Sequence, residues 1–232
     1  MKVETFPDAD AVAAAAARLI AAEARSAVSA RGRFSIAVSG GHTPWQMLRA
    51  LAREEVPWNG VHLFQVDERV APAGDADRNL THIRESLLST VALPAGQLHA
   101  MPVEEKDLPA AAARYARELE SVAGSPPVLD LVHLGLGPDG HTASLVPGDR
   151  ALEVSGADVT LAGPYQGRMR MTLTYPVLDR ARKVLWLVTG AEKVPMLEKL
   201  EAGDRSIPAG RVCADRAVVL ADLDAAGGKP RK

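Results

Sequence analysis

Segments typical of β-strands alternate with segments typical of α-helices along most of this 232-residue chain. Short apolar runs, such as FSIAV and VHLFQV, are each followed by a turn and a longer helix-forming stretch. Parallel strands need crossover connections of this kind, and such crossovers are right-handed. The pattern therefore predicts a doubly wound α/β fold of modified Rossmann-like type, with a mostly parallel sheet and helices on both faces. Because no linker interrupts the alternation, we expect a single domain over residues 1–232.

Local signals predict where several elements begin and end. Asp8 is the predicted N-cap of an Ala-rich helix, and Gly32 is predicted to end it. Thr43 and Pro44 are predicted to be the N-cap and the first residue of a second helix, because proline there lacks only a donor that would be unpaired anyway. The segments DVTLAG and RMRMTLTYPVL are predicted to form an antiparallel pair.

The composition excludes several classes of partner. The formal net charge is -2 and the basic residues are scattered, so neither nucleic acid nor an anionic membrane is expected to bind. No stretch approaches the roughly 20 apolar residues of a membrane-spanning helix, and the N-terminus does not resemble a signal peptide. The one cysteine, Cys213, is predicted to be a packed thiol in a reducing compartment. We therefore expect a cytoplasmic protein that is a monomer, with weak self-association left open.

Unusual loop sequences follow four of the predicted strands. They read SGGHTP, DER, GLGPDGHTASLVPG and TGAEK. The carboxyl ends of parallel strands meet at one edge of a sheet, and ligands of doubly wound folds bind at that edge. The four loops are therefore predicted to converge on one small-molecule site.

The first of these loops has the features of an anion site. Ser39, Gly40, Gly41 and Thr43 lie at a predicted helix N-terminus, where free N–H groups favour a phosphate or carboxylate. A tight turn with Thr43 as a helix cap is the alternative, and the loop matches neither a Walker A sequence nor GxGxxG. Two cations could join a phosphate there: Arg170, and Lys193 about one turn into its helix. Each of them taken alone is also typical of a solvated surface charge.

Candidate proton-transfer groups lie in two other loops. Asp139 and His141 flank Gly140 in a glycine-rich turn, and a histidine in such a place is a general-base candidate because its ordinary pKa is near neutrality. Asp67 ends another apolar strand and is a second candidate carboxylate. A structural histidine and loop-capping carboxylates are the alternatives. The remaining histidines lack a metal-binding spacing and there is no second cysteine, so no metal site is predicted.

Taken together, SGGHTP, VDER, GLGPDGHTASLVPG, RMTLT and TGAEK resemble the motifs of 6-phosphogluconolactonases, in the same order and across nearly the whole chain. Glucosamine-6-phosphate deaminases share this framework, but their loop continues with Asn-Glu-Pro-Gly where this chain has Leu145 to Gly148. Deaminases also tend to have Tyr where this chain has Arg69. The chain departs from the lactonase pattern at Val146, which is often Phe, and at Arg78 of the Arg78-Asn79 pair, which is often Ser.

The resemblance implies hydrolysis of 6-phospho-D-glucono-1,5-lactone in the oxidative pentose phosphate pathway, with no cofactor and no metal. It implies that His141 activates water and that Asp67 and Asp139 orient the histidine or the sugar hydroxyls. Arg69 would neutralise nearby carboxylates or contact substrate. The implied phosphate-binding residues are Ser39, Gly40, Gly41, Thr43, Arg170 and Lys193. A deaminase or sugar-phosphate isomerase, and a non-catalytic sugar-phosphate sensor, are the alternatives.

Overall fold

Seven parallel strands form the central sheet of the computed structural model, which describes residues 1–230. A second, antiparallel sheet has three strands. The central strands are β1 (Lys2–Phe6), β2 (Phe34–Val38), β3 (Val61–Gln65), β5 (Leu98–His99), β6 (Leu131–Gly135), β9 (Val184–Val188) and β10 (Ala217–Asp222). The strands of the second sheet are β4 (Asp67–Arg69), β7 (Val159–Tyr165) and β8 (Arg168–Leu173). The sheet orders are β1-β10-β9-β6-β2-β3-β5 and β4-β8-β7.

Six α-helices connect or cover these strands in the described part of the chain. They are α1 (Ala9–Arg31), α2 (His42–Leu51), α3 (Asn79–Ile83), α4 (Leu108–Ala123), α5 (Tyr175–Arg180) and α6 (Val194–Glu201). A turn of π-helix, Arg84–Leu88, continues α3. None of the helices within residues 1–230 combines the length and apolar character needed to cross a membrane.

Buried side chains alternate between the two faces of the central sheet, as the period of two in a strand requires. On β9, for example, Leu185 belongs to one apolar cluster and Trp186 to the other. The cluster that includes Leu185 contains buried apolar residues of α1 and α2. The cluster that includes Trp186 contains those of α4, α5 and α6. Helices therefore cover both faces, and the predicted doubly wound α/β fold is confirmed.

The predicted ends of α1 are correct, whereas the predicted start of α2 is not. The Asp8 carboxylate accepts a 2.8 Å hydrogen bond from the Ala11 N–H, and Gly32 ends α1 with a left-handed φ of 74°, both as predicted. The predicted start of α2 is wrong, because the helix begins at His42 and its N-cap is Gly41. Thr43 lies inside the first turn, where its hydroxyl bonds to another loop instead of capping the helix.

Two further predictions need correction. The β7–β8 pair is antiparallel as predicted, but the strand stops at Leu173 and the YPV segment begins α5, since Pro176 suits a first helical turn and cannot donate to a sheet ladder. Cys213 is exposed, so the predicted packed thiol is wrong. The cysteine lies in the loop before β10, where its backbone N–H donates to Asp179.

Candidate active site

The small antiparallel sheet brings charged residues from distant parts of the chain side by side. Only one residue separates β3 from β4, so the chain passes directly from the carboxyl edge of the parallel sheet into the second sheet. In the β4–β8 register, Asp67 lies opposite Thr172 and Arg69 lies opposite Arg170. Three of the predicted site residues therefore meet at this edge.

Arg69 and Arg170, which face each other across β4 and β8, concentrate positive charge at this edge of the small sheet. Like charges directly opposite each other destabilise a sheet. Burial lowers the pKa of Arg170, which is only 5% exposed; Asp67 opposes this shift and the charge of Arg69 adds to it. The guanidinium group of Arg170 still carries its charge at neutral pH. The Nε atoms of Arg69 and Arg170 are buried without a hydrogen-bond partner within residues 1–230, so a bound anion would relieve the repulsion and accept these donors.

The loop after β2 is held by hydrogen bonds to the buried side chain and the backbone of His133 on β6. The Ser39 N–H donates to Nδ1 of His133 at 3.2 Å, and the Ser39 hydroxyl donates to the His133 carbonyl at 3.1 Å. The next residue must be glycine, since a Cβ on Gly40 would lie 1.9 Å from Oδ1 of Asn79. The Ser39 hydroxyl is therefore engaged by the protein, and the loop presents mainly backbone to the cavity.

The loop after β9 closes on the start of α2. The hydroxyl oxygens of Thr43 and Thr189 lie 2.7 Å apart and share a hydrogen bond. Lys193 ends the 3₁₀ turn Ala191–Lys193 just before α6, instead of lying one turn inside that helix as predicted. Its ammonium lies 3.7 Å from the exposed carboxylate of Glu192.

Asp139 and His141 form a hydrogen-bonded pair in the glycine-rich loop after β6. Nδ1 of His141 lies 2.5 Å from Oδ1 of Asp139, and the His141 backbone N–H donates to the same oxygen at 3.1 Å. Burial raises the pKa of Asp139, but these hydrogen bonds and the charge of His141 outweigh it and hold the pKa below the ordinary value. The ionised carboxylate therefore accepts from Nδ1, which leaves Nε2 of His141 as the nitrogen able to take a proton. Gly137 must be glycine here, because a Cβ would lie 2.1 Å from Nδ1 of His141.

The second candidate carboxylate has other partners. Asp67 is buried and accepts a 2.6 Å hydrogen bond from the Ser144 hydroxyl and a 3.3 Å bond from the Asn79 amide. An Arg170 nitrogen lies 3.9 Å from Oδ2 of Asp67, the oxygen that accepts from Ser144. Of the two predicted carboxylates, it is therefore Asp139 that hydrogen-bonds His141, whereas Asp67 contacts Ser144, Asn79 and Arg170.

Two adjoining cavities bring the predicted residues together. One is about 80 Å³ and the other about 390 Å³, and both are lined by Gly40, Arg69, His141 and Arg170. Ser39 and Asp67 line the smaller cavity, whereas Gly41, Thr43 and Lys193 line the larger one. Asp139 joins them through His141.

Four residues at this site were missed by the sequence reasoning: Asn79, Ser144, Tyr165 and Thr189. Asn79 was noted only as part of an Arg78-Asn79 pair, and the other three carry no local signal. The two residues of that pair differ in role. Arg78 is buried and braces the neighbouring loop through Glu68, Glu104 and the Ala71 carbonyl, while Asn79 lines the smaller cavity.

A larger cavity of about 680 Å³ lies between α4 and β7 and differs in character. Its walls are mostly small apolar residues, and its charged groups are Glu120 and the ion pair of Asp158 with Arg180. Within residues 1–230, this cavity therefore has one arginine, held in a close ion pair, and no histidine, whereas Arg69, Arg170, Lys193 and His141 line the other two cavities.

His133 should make the folded state sensitive to acid. Burial lowers its pKa from 6.5 to about 3, so the unfolded chain binds a proton first as the pH falls. The stability that depends on neutral His133 is complete above pH 6.5 and is lost towards pH 3. Lowering the pH from about 7 to about 5 is expected to cost about 2 kcal/mol through this group. Urea unfolding at both pH values should show a smaller loss in His133→Asn, whose amide oxygen can accept from Ser39; equal losses would contradict this.

One family of known proteins matches this chain over most of its length. The family model described as "Glucosamine-6-phosphate isomerases/6-phosphogluconolactonase" matches residues 7–220. The chain belongs to this family. It is 37% identical to the 6-phosphogluconolactonase of Nostoc sp., over 97% of this chain and 96% of that protein. It is also 37% identical to the 6-phosphogluconolactonase of Mycobacterium tuberculosis, over 98% of both chains.

Solved structures of family members share the fold over nearly the whole chain. The crystal structure of 6-phosphogluconolactonase from Thermotoga maritima aligns with a TM-score of 0.85 and 28% identity, over 95% of this chain and 98% of that one. A monomeric glucosamine-6-phosphate deaminase aligns with a TM-score of 0.84 at 19% identity, over 99% of this chain and 100% of that one. The fold alone therefore does not separate the two activities of the family, and the site must do so.

Proposed function

We propose that this family member hydrolyses 6-phospho-D-glucono-1,5-lactone to 6-phospho-D-gluconate, the lactonase step of the oxidative pentose phosphate pathway. The observation that carries the proposal is the pairing of a histidine base held by Asp139 with two facing arginines, one of them buried, in adjoining cavities. A base and a dianion site are what hydrolysis of a phosphorylated lactone requires.

In the proposed mechanism, Nε2 of His141 takes a proton from water while the water oxygen attacks the C1 carbonyl. Asp139 fixes the ring through Nδ1 and stabilises the imidazolium that forms. Collapse of the tetrahedral intermediate breaks the bond between C1 and the ring oxygen, which takes the proton back from His141. The arginines and Lys193 hold the phosphate, with the backbone of the Ser39 loop and Thr43 beside them. Asp67 faces the sugar hydroxyls.

The segment after the histidine favours the lactonase over the deaminase. The deaminase pattern has a glutamate here for ring opening, whereas this chain has the buried apolar residues Leu145 and Val146. The relatives that are 37% identical over almost their whole length are also named 6-phosphogluconolactonases. No separate observation favours a sensor.

The test is the rate of lactone disappearance when 6-phosphogluconolactone is generated in situ, compared with spontaneous hydrolysis at the same pH. Acceleration by the protein supports the lactonase. Ammonia release from glucosamine 6-phosphate would instead identify a deaminase, and tight binding of sugar phosphates without turnover would identify a sensor.

We also propose that the enzyme acts in the cytoplasm as a monomer. The proposed site residues of a single copy are enough to line both cavities, which supports a monomer. Light scattering of the purified protein during size-exclusion chromatography would test whether it is a monomer. Fractionation of the source cells would test whether it lies in the cytoplasm.

Removing the buried guanidinium should weaken substrate binding. Arg170→Met is expected to raise KM for the lactone roughly 10- to 100-fold, since a charge-assisted contact to phosphate is lost, while kcat falls less. Lys193→Met should act in the same direction. Arg114→Gln is the matched control, because Arg114 is an exposed arginine on α4 paired with Glu105. Unchanged KM in both site variants would reject the phosphate assignment.

A further inference from the structure

Tyr165 is a residue at this site to which neither the sequence motifs nor the proposed mechanism assigns a role. It is the last residue of β7, just before the turn at Gln166, and the β7–β8 register shifts between Ala162 and Tyr165. This irregularity takes Tyr165 out of the regular strand alternation. Its side chain lines the larger cavity together with His141 and Arg170.

Three contacts connect Tyr165 with both halves of the site. Its hydroxyl donates to Oδ2 of Asp139 at 3.3 Å, the oxygen that does not face His141. Its ring meets the His141 ring edge to face, with centroids 5.4 Å apart. Its ring face also receives the Arg170 guanidinium, whose central carbon lies 5.1 Å from the ring centroid. One side chain thus contacts the base, the carboxylate that orients the base and a proposed phosphate ligand.

We propose that Tyr165 is a positioning residue with two separable functions: its hydroxyl sets the basicity of the Asp139–His141 pair, and its ring holds Arg170 in place for the substrate phosphate. The role of Tyr165 in catalysis rests on the proposed lactonase function. The contact of its hydroxyl with Asp139 and the contact of its ring with Arg170 do not.

The hydroxyl acts through the charge of Asp139. Burial first, and then the Asp139 charge, raise the pKa of Tyr165, so the phenol remains a donor at neutral pH. A donor on Oδ2 withdraws negative charge from the carboxylate and weakens its attraction for a protonated His141. Loss of this donor therefore strengthens the hold of Asp139 on a protonated imidazole, whereas the neutral imidazole is the form that can take a proton from water. The other charged or titratable groups around the two cavities are His42, Asp67, Arg69, Arg170, Glu192 and Lys193, and they are the same in a Tyr165→Phe protein.

The ring acts on Arg170 by a different interaction. A guanidinium over an aromatic face is attracted by the ring quadrupole, more strongly when it is buried as Arg170 is. The other close partners of this guanidinium are the Gln166 side chain at 3.4 Å and Asp67 at 3.9 Å. Loss of the ring would let the guanidinium turn further towards Asp67 and away from the substrate.

Two substitutions separate these functions. Tyr165→Phe removes the hydroxyl and keeps the ring, so the His141 pKa and the acid limb of the kcat/KM profile should both rise by about half a pH unit, with KM changed less than about twofold. Tyr165→Leu removes both groups, so the same pKa rise should be joined by a roughly fivefold rise in KM. Tyr175→Phe is the matched control, because the Tyr175 hydroxyl donates to the Pro208 carbonyl and not to a site residue.

The first readout is the His141 titration followed by NMR, with the affinity for inorganic phosphate measured by calorimetry alongside it. Neither depends on turnover, so they test the two contacts even if the lactonase assay fails. A higher His141 pKa in Tyr165→Phe, together with weaker phosphate binding only in Tyr165→Leu, supports the proposal. An unchanged His141 pKa in Tyr165→Phe, or equal loss of phosphate affinity in both variants, overturns it.

Discussion

His141→Ala is expected to lower kcat for lactone hydrolysis by about 10²–10⁴-fold while leaving KM nearly unchanged. The change removes the ring whose Nδ1 lies on Asp139 and whose Nε2 is the proposed acceptor of the proton from the attacking water. Arg69, Arg170 and Lys193 stay in place, so phosphate binding should persist. Lactone generated in situ gives the measurement, with the spontaneous rate at the same pH subtracted.

A histidine remote from the cavities provides the control for this prediction. His62 on β3 is hydrogen-bonded to His99 at 3.0 Å, and His62→Gln removes an imidazole without touching the site. Its kcat should stay close to that of the unmodified enzyme. If His141→Ala and His62→Gln both retain full acceleration, the enzyme is still a lactonase but its general base is another group.

The order of strands and helices could be predicted from the sequence because it depends on local hydrophobic periodicity. The Asp139–His141 pair could be predicted only in part: the two residues are separated by one glycine, but the sequence left open whether Asp67 or Asp139 contacts the histidine. The start of α2 could not be predicted in this way. Thr43 is a good capping residue locally, but a contact with Thr189, far along the chain, engages its hydroxyl.

The remaining parts of the site depend on long-range pairing that has no sequence period. The positions of Arg69 and Arg170 follow from the β4–β8 register, which only the folded sheet defines. Tyr165 reaches Asp139 because of an irregularity in β7, and an aromatic residue in a hairpin gives no signal of such a contact. Ser144 is similar, since its bond to Asp67 joins two loops.

Glu68, the buried glutamate of the VDER motif, holds the start of α3 next to the site. Glu68 is 0% exposed, and its carboxylate accepts hydrogen bonds from the Gln65 amide and from the backbone N–H groups of Asn79 and Leu80 at the start of α3. It also lies 3.1 Å from Nε of the buried Arg78. Glu68 therefore holds Asn79 at the cavity and neutralises a buried cation, which is a structural role and not a chemical one.

Glu68→Gln is accordingly expected to reduce the free energy of unfolding by about 3–5 kcal/mol, because it leaves the buried Arg78 charge without its buried partner and turns an amide N–H₂ towards backbone donors. Glu104→Gln is the matched control: it removes a carboxylate 3.0 Å from the same arginine, but that carboxylate is 53% exposed, so the loss should stay below about 1 kcal/mol. Urea unfolding measures both. Adding Arg78→Met to Glu68→Gln should recover part of the loss, since no unpaired charge then remains buried. Equal losses in the two single variants, or a further loss in the double variant, would show that the Glu68–Arg78 pair does not determine stability here.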